Sequence, residues 1–360
     1  MADDDRTARD HRLALVFSGG NALGSWQAGA YQALATAGLR PDRVVAASAG
    51  AVNAALIVGN PPDRAVERLR AFWAPASDAA GWWPNGIDGW RRSGAVAAAL
   101  ATGRPDMFVP RPFFGELWAW MGETGPSLFD TAPMAVTLDA AVDWDRLNDG
   151  SVRLGIAAVD LESGEDVVFD TARGRLGVDH VRASCALMPA FQPVEVEGRR
   201  YVDPGLSANL PIDAVLADPG PEPLLVIALD LLPLSSPRPR TIGEAAGRLQ
   251  DLVFATQARR AIDAWQTVYD LHGRSAPAVT LVRLSYADQS REVAGKAFDF
   301  SSESAAERWT AGHAAAEEFL DRWDAGLIEV GRPGLTVHGD ADEPAPATGT
   351  FRLRSAERDG

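Results

Sequence analysis

Ser48 stands in Ala46-Ala47-Ser48-Ala49-Gly50, directly after one apolar run and directly before another. A serine with a small residue two positions away on each side, between a strand and a helix, has the pattern of a nucleophile elbow. Small neighbours let strand and helix approach closely, and the sharp turn presents the hydroxyl. The helix N-terminus adds free amides and the positive end of its dipole. Ala46 replaces the usual first glycine, one methyl group larger, and Gly50 completes the pattern. The same residues also suit a plain packing turn in an alanine-rich chain, so the serine needs partners.

A second turn lies upstream. In Ser18-Gly19-Gly20-Asn21-Ala22-Leu23-Gly24 the amides of Gly19, Gly20 and Asn21 precede a helix and can converge on a developing oxyanion. Asn21 stands where a further glycine is expected, and asparagine tolerates left-handed backbone. No Lys-Ser or Lys-Thr pair follows, so this is no Walker loop, and the GxGxxG spacing of a dinucleotide site is missing. A third stretch, Tyr201-Val202-Asp203-Pro204-Gly205, delivers Asp203 at the end of a short apolar run, with Pro204 biasing it toward extended backbone. Alone it reads as an ordinary Asp-Pro-Gly turn.

Together the three stretches resemble the patatin-like phospholipase family, with its glycine-rich oxyanion loop, G-x-S-x-G elbow and distal D-G-[GA] turn. The likeness continues through ASCALMPAFQPVEVEGRRYVDPG and spans residues 12–60 and 130–235, while SSESAAERWTAGHAAAEEFL is similar to an accessory region of a bacterial patatin-like group. The resemblance implies a Ser-Asp dyad with Ser48 as nucleophile and Asp203 as base, and the Gly19, Gly20 and Asn21 amides as oxyanion hole. It implies a lipid or acyl-ester substrate and neither metal nor other cofactor. Four positions depart from the family pattern: Ala46, Asn21, Leu23 where a basic residue is frequent, and Pro204, which removes a backbone donor beside Asp203. A relative that keeps the pocket to bind lipid or a partner without turnover is the competing class.

A Ser-His-Asp triad is the other serine chemistry to weigh. The histidines are His11, His180, His272, His313 and His338; none stands in a triad motif, and His313 falls inside a helical pattern. An elbow at position 48 also comes early for the usual α/β-hydrolase order. Cys185, in an apolar stretch, reads as a small buried hydrophobe. Arg199-Arg200 reads as a solvated hairpin pair.

These turns need a parallel sheet to hold them. Apolar runs at 13–17 and 44–47, each followed by a helical stretch at 25–37 and 49–58, predict strand-helix-strand-helix units. Hairpins are expected for 152–160 with 166–170 and for 194–196 with 200–202, and further strands at 224–229 and 279–285. Long helices are expected at 241–271 and 304–327, the latter with Ser304 and Glu307 at capping-box spacing. With the resemblance, the expectation is a three-layer α/β/α patatin-like sandwich with a mostly parallel central sheet. Its expected divisions are a disordered tail at 1–11, a catalytic domain at 12–235, a helical C-terminal extension at 236–330 and a loose tail at 331–360. A cap insertion is expected at 61–130, where Trp73, Trp82, Trp83, Trp90, Trp118 and Trp120 cluster.

The 360 residues are 46% hydrophobic and 23% charged, enough for a large core. A net charge of -15 speaks against nucleic-acid partners and electrostatic docking to anionic lipid, and leaves an apolar membrane contact through the tryptophans open. One cysteine allows no intrachain disulfide and fits a reducing compartment. The polar start, MADDDRTARDHR, lacks a signal-peptide core, and the most apolar stretch, 44–59, is short for a membrane span. A cytoplasmic protein, peripheral at membranes, is therefore expected.

Overall fold

Near-continuous apolar runs form strands that are covered on both faces, and two of them make the centre of the sheet. In a computed structural model, which describes residues 10–74, 88–111 and 127–339, these are β1 (Arg12–Phe17) and β2 (Arg43–Ala46). After β1 comes α1 (Gly24–Thr36), and after β2 come α2 (Ala49–Val58), α3 (Pro62–Trp73) and α4 (Asp88–Thr102). A small ladder, β3 (Val109–Pro110) with β4 (Phe129–Asp130), precedes α5 (Ala132–Ala141). Then follow β5 (Arg153–Asp160), β6 (Asp166–Asp170), α6 (Val178–Ser184), β7 (Val194–Val196), β8 (Arg199–Val202) and β9 (Leu224–Asp230). The C-terminal part supplies α7 (Ile242–His272), β10 (Ala278–Ser285), α8 (Ser302–Asp324) and β11 (Gly334–His338).

The strands run in the order β11-β10-β9-β1-β2-β5-β8-β7, with β6 paired to β5. From β11 to β5 every pairing is parallel; β6, β8 and β7 add antiparallel partners at one end. Alternate residues divide the core. Leu13, Leu15 and Phe17 pack with Trp26, Leu56 and Phe319 on one face. Ala14 and Val16 pack with Ala258, Ile262 and Tyr269 of α7 on the other. The result is an α/β/α sandwich whose C-terminal helices lie on both faces.

The C-terminal extension belongs to the core. It is not helical alone, since β10 and β11 extend the sheet beside β9. α8 crosses α1 at backbone contact: a Cβ on Gly29 would strike the Trp309 carbonyl, and one on Gly312 the Trp26 carbonyl. Only glycine allows so close an approach.

Three expectations need correction. The loose tail does not begin at 331, because Gly334–His338 pairs in register with β10; edge pairing overrides the Gly-Pro composition there. The last long helix starts at Ser302, and Ser304 is no cap: buried inside the helix, its hydroxyl donates to Asp299 Oδ2 at 2.5 Å. The stretch opening at 61 is not all cap. α3 turns Ala65, Leu69, Phe72 and Trp73 onto the core, at helical spacing. Trp90, on α4, is exposed. Trp82, Trp83, Trp118 and Trp120, and the cap they were expected to form, lie outside the described residues. Among the described residues no helix is long and apolar enough to cross a membrane.

Candidate active site

Strand β2 ends at Ala46 and α2 begins at Ala49, which leaves two residues to reverse the chain. The reversal forces Ser48 to φ 53° and ψ -126°. A non-glycine residue there carries strain of about 1–3 kcal/mol, tolerated when the surroundings over-determine it. They do so here. A Cβ at Gly50 would lie 2.7 Å from the Phe17 carbonyl oxygen and 2.8 Å from that of Ser18. The Ser48 amide donates to Ser184 Oγ at 2.9 Å, the Ala47 amide to the Phe17 carbonyl at 3.0 Å. Ala46 is wholly buried in the strand, where its extra methyl is accommodated.

Asp203 follows β8 and is 6% exposed. Its amide donates to the Ala186 carbonyl at 3.2 Å, and its Oδ1 accepts from the Gly205 amide at 2.7 Å. The donor missing at Pro204 is thus supplied one residue later. Burial pushes the carboxyl up to about 7, against the Ser48 hydroxyl and the Gly205 amide, which both favour the charged form. The net rise, on the order of 4 kcal/mol, is what remains after both contacts have acted, so desolvation dominates. Asp203 Oδ2 completes no hydrogen bond, and the Ser48 hydroxyl interacts with the carboxyl in the sense that favours its charged form.

The upstream turn separates the three expected amides. Gly19 donates its amide to the Asn209 carbonyl at 3.0 Å, so it is committed elsewhere; this corrects its expected place in an oxyanion hole. Gly20 and Asn21 remain, both on the wall of the cavity that contains Ser48 and Asp203. Asn21 adopts φ 52°, which explains why asparagine replaces glycine at little cost. Leu23, where a cation was looked for, is fully buried.

Side chains that no motif flagged hold this turn. Gln27 Nε2 donates to the Ser18 carbonyl at 2.9 Å and the Leu229 carbonyl at 3.0 Å. Its Oε1 accepts from Asn53, whose own Oδ1 accepts from the Trp73 indole at 2.8 Å. Asn209 Nδ2 donates to the Gly19 carbonyl at 3.3 Å. Gln257 of α7 takes the Asn209 amide at 3.1 Å and donates to the Gly205 carbonyl at 3.1 Å. A polar residue inside an Ala-rich helix, as at Gln27 and Asn53, is the one sequence signal that could have found them, since buried polar groups need partners.

The cavity has a volume of about 400 Å³ and is walled by Phe108, Met134, Leu187, Phe191, Phe254 and Phe298 among others. Among the described residues Asp203 is the only ionisable carboxylate on that wall, and none of the five histidines lines it. Cys185 also lines it; burial and the nearby Asp203 charge push its thiol well up, so it stays protonated. His180 accepts from the Gly177 amide at 3.0 Å, and His313 lies 3.2 Å from Glu317, both elsewhere. Arg199 pairs with Asp160 at 2.7 Å, a hairpin contact. Among the described residues no group of His, Cys, Asp and Glu is placed to hold a metal ion.

This geometry can be set beside known proteins. No curated protein matches the chain by sequence. Among solved structures it is similar to VipD from Legionella pneumophila, at 13% identity and TM-score 0.41, over 87% of this chain and 67% of that one. It is also similar to the type III effector ExoU of Pseudomonas aeruginosa, at 15% identity and TM-score 0.33, over 89% of this chain and 54% of that one. Human GIVD cytosolic phospholipase A2 matches at 18% identity and TM-score 0.23, over 54% of this chain and 24% of that one. The chain therefore spans only about half the length of ExoU. A family profile described as patatin phospholipase matches residues 241–326. The profile of the patatin-like phospholipases matches residues 15–216, more than half the sequence and inclusive of both turns and Asp203, and the chain belongs to that family.

Proposed function

We propose that the chain is a serine acyl hydrolase of lipid carboxylic esters, of phospholipase A or lysophospholipase type, working through a Ser48–Asp203 dyad. One observation carries this reading: a serine in strained backbone approaches a buried carboxyl poised near neutrality, on the wall of an apolar cavity. Asp203 as carboxylate takes the Ser48 proton while Oγ attacks the acyl carbonyl. The Gly20 and Asn21 amides, with the N-terminal dipole of α2, stabilise the tetrahedral oxyanion. Collapse returns the proton from Asp203 to the departing alcohol and leaves acyl-Ser48. Water, deprotonated by Asp203, then attacks the acyl carbonyl, releases the fatty acid and regenerates the Ser48 hydroxyl.

The cavity is of a size usual for ligand sites and offers an acyl chain mainly aliphatic and aromatic surface. Leu206 and Leu249, both exposed, also line it and supply an apolar route from a lipid aggregate, consistent with peripheral action at a membrane surface. The buried thiol of the single cysteine suits the cytoplasm.

A fluorophosphonate probe tests the reading. It should label the protein at Ser48, located by peptide mass spectrometry, and Ser48→Ala should be unlabelled, with ester turnover below about one hundredth of the parent. A folded parent that neither labels nor hydrolyses a short-chain ester would establish the lipid- or partner-binding class instead.

A further inference from the structure

Arg308, on α8, is 1% exposed, yet a guanidinium presents five N–H donors and none can be left unpaired at small cost. All five are used. Nε and Nη2 donate to the two carboxylate oxygens of Glu292, each at 2.7 Å. Nη2 also donates to the Lys296 carbonyl at 3.2 Å, and Nη1 to the Asp299 carbonyl at 2.7 Å. The remaining bond leaves the C-terminal extension: Nη1 donates to the Ala22 carbonyl at 3.3 Å. Ala22 is the middle residue of the 3₁₀ turn Asn21–Leu23, directly after the two amides proposed for the oxyanion.

Glu292 is fixed in its turn. The Tyr286 hydroxyl donates to its Oε1 at 2.8 Å and Arg92 of α4 to its Oε2 at 3.3 Å. Burial pushes the Glu292 carboxyl up, but the Arg308 hydrogen bonds and charge, then the Tyr286 hydroxyl and the Arg92 charge, outweigh it and hold the carboxyl below its ordinary value. The turn Lys296–Phe298, whose first carbonyl Arg308 holds, also contributes Ala297 and Phe298 to the cavity wall. One guanidinium therefore ties the oxyanion turn to the acyl wall.

We infer that Arg308, oriented by Glu292, is a positioning residue that sets the oxyanion turn from the C-terminal extension. This rests on the Ser48–Asp203 reading. The bond to Ala22 restrains the Ala22–Leu23 peptide plane, whose Leu23 amide donates to the Gly20 carbonyl at 3.1 Å, and that carbonyl shares its peptide plane with the Asn21 amide. A lysine keeps the charge but has no planar fork to span Glu292, Asp299 and Ala22 at once.

The test uses the full chain with a soluble short-chain ester, which needs no lipid surface. Arg308→Lys should lower kcat by about tenfold or more with KM within about twofold, and slow fluorophosphonate labelling in parallel, because both form a tetrahedral oxyanion. Glu292→Gln, which keeps the shape of the pair, should lower kcat by about threefold at unchanged KM. Amide hydrogen exchange in a peptide covering 18–26 should quicken in both, while a peptide covering 46–52 stays as in the parent. A folded variant with parental kcat and parental exchange overturns the inference, as does a change in KM alone. Should Arg308→Lys fail to fold, Glu292→Gln decides alone. A parent without turnover or labelling sinks the dyad instead, and the exchange data then still decide whether Arg308 holds the turn.

Discussion

The two turns of the site leave neighbouring parallel strands, yet they are stabilised in opposite ways. The elbow after β2 is made by its own sequence: Gly50 gives the clearance, Ala47 and Gly50 bond within or beside the turn, and Ser184 adds one distant hydrogen bond. The turn after β1 is held from afar. Gln27 reaches Leu229, Asn209 reaches Gly19, Leu231 donates to Ser18 and Arg308 donates to Ala22. The geometry of the proposed nucleophile is thus local and that of the proposed oxyanion turn is delegated. A local turn tolerates change elsewhere, whereas a delegated one registers every change in the packing of the C-terminal extension.

Four substitutions test this contrast. Asp203→Asn should have the largest effect, a loss of about a thousandfold in kcat, because the amide accepts no proton. In the parent, kcat/KM should rise with pH through about 7 and then level off, since the base must be ionised. Stability runs the other way: a carboxyl whose folded pKa is raised favours the fold when protonated, and that advantage is lost between the ordinary carboxylate range and about 7. Asp203→Asn should therefore melt a few degrees above the parent at pH 8 and alongside it at pH 4, read by calorimetry. Equal pH profiles in parent and variant would remove Asp203 from the chemistry.

Gly50→Ala attacks the local turn. Its methyl meets backbone oxygens that cannot move aside, so a stability loss of about 1–3 kcal/mol and an activity loss of about a hundredfold are expected together. Asn209→Ala attacks the delegated turn. It removes the 3.3 Å bond to Gly19 but keeps the backbone bond beneath it, so kcat should fall about tenfold with a small change in melting temperature. Coupled losses for Gly50→Ala and uncoupled ones for Asn209→Ala are what separates the two modes. Asn21→Gly should matter least, within about threefold, because glycine adopts φ 52° freely and the proposed contact is a backbone amide. A hundredfold loss would make the Asn21 side chain itself the donor.

The same contrast governs what could be read from the sequence. α2, β7 and the β5–β6 hairpin follow from periodicity and small-residue turns, and Ser48 follows from its neighbours. Asp203 reads as a plain turn until a family pattern is laid beside it. Gly19 misleads because its sequence position suits an anion, while its amide is taken by a residue 190 positions later. Ser184, Asn209 and Arg308 are ordinary polar residues along the chain, and only folding shows what they hold, while Gln27 is marked by its place in an Ala-rich helix. β11 leaves little trace in the sequence because an edge strand needs few apolar residues, and the core role of Trp73 is masked because helix α3 begins among prolines.

Strand β1 bonds β2 on one side and β9 on the other. Its order of synthesis is therefore not its order of completion. When Phe17 leaves the ribosome, β2 follows soon after, but Leu224 of β9 is roughly 200 residues away, or roughly 10–40 s of translation at about 5–20 residues per second. Through that interval the nascent chain exposes one open edge of an apolar strand. The Leu229 carbonyl that Gln27 bonds, and the Leu231 amide that bonds Ser18, do not yet exist. The elbow can form early on the ribosome; the turn after β1 matures only once α8 has been made and closes over α1. A nascent fragment ending before residue 224 should thus engage chaperones and show no turnover of a short-chain ester.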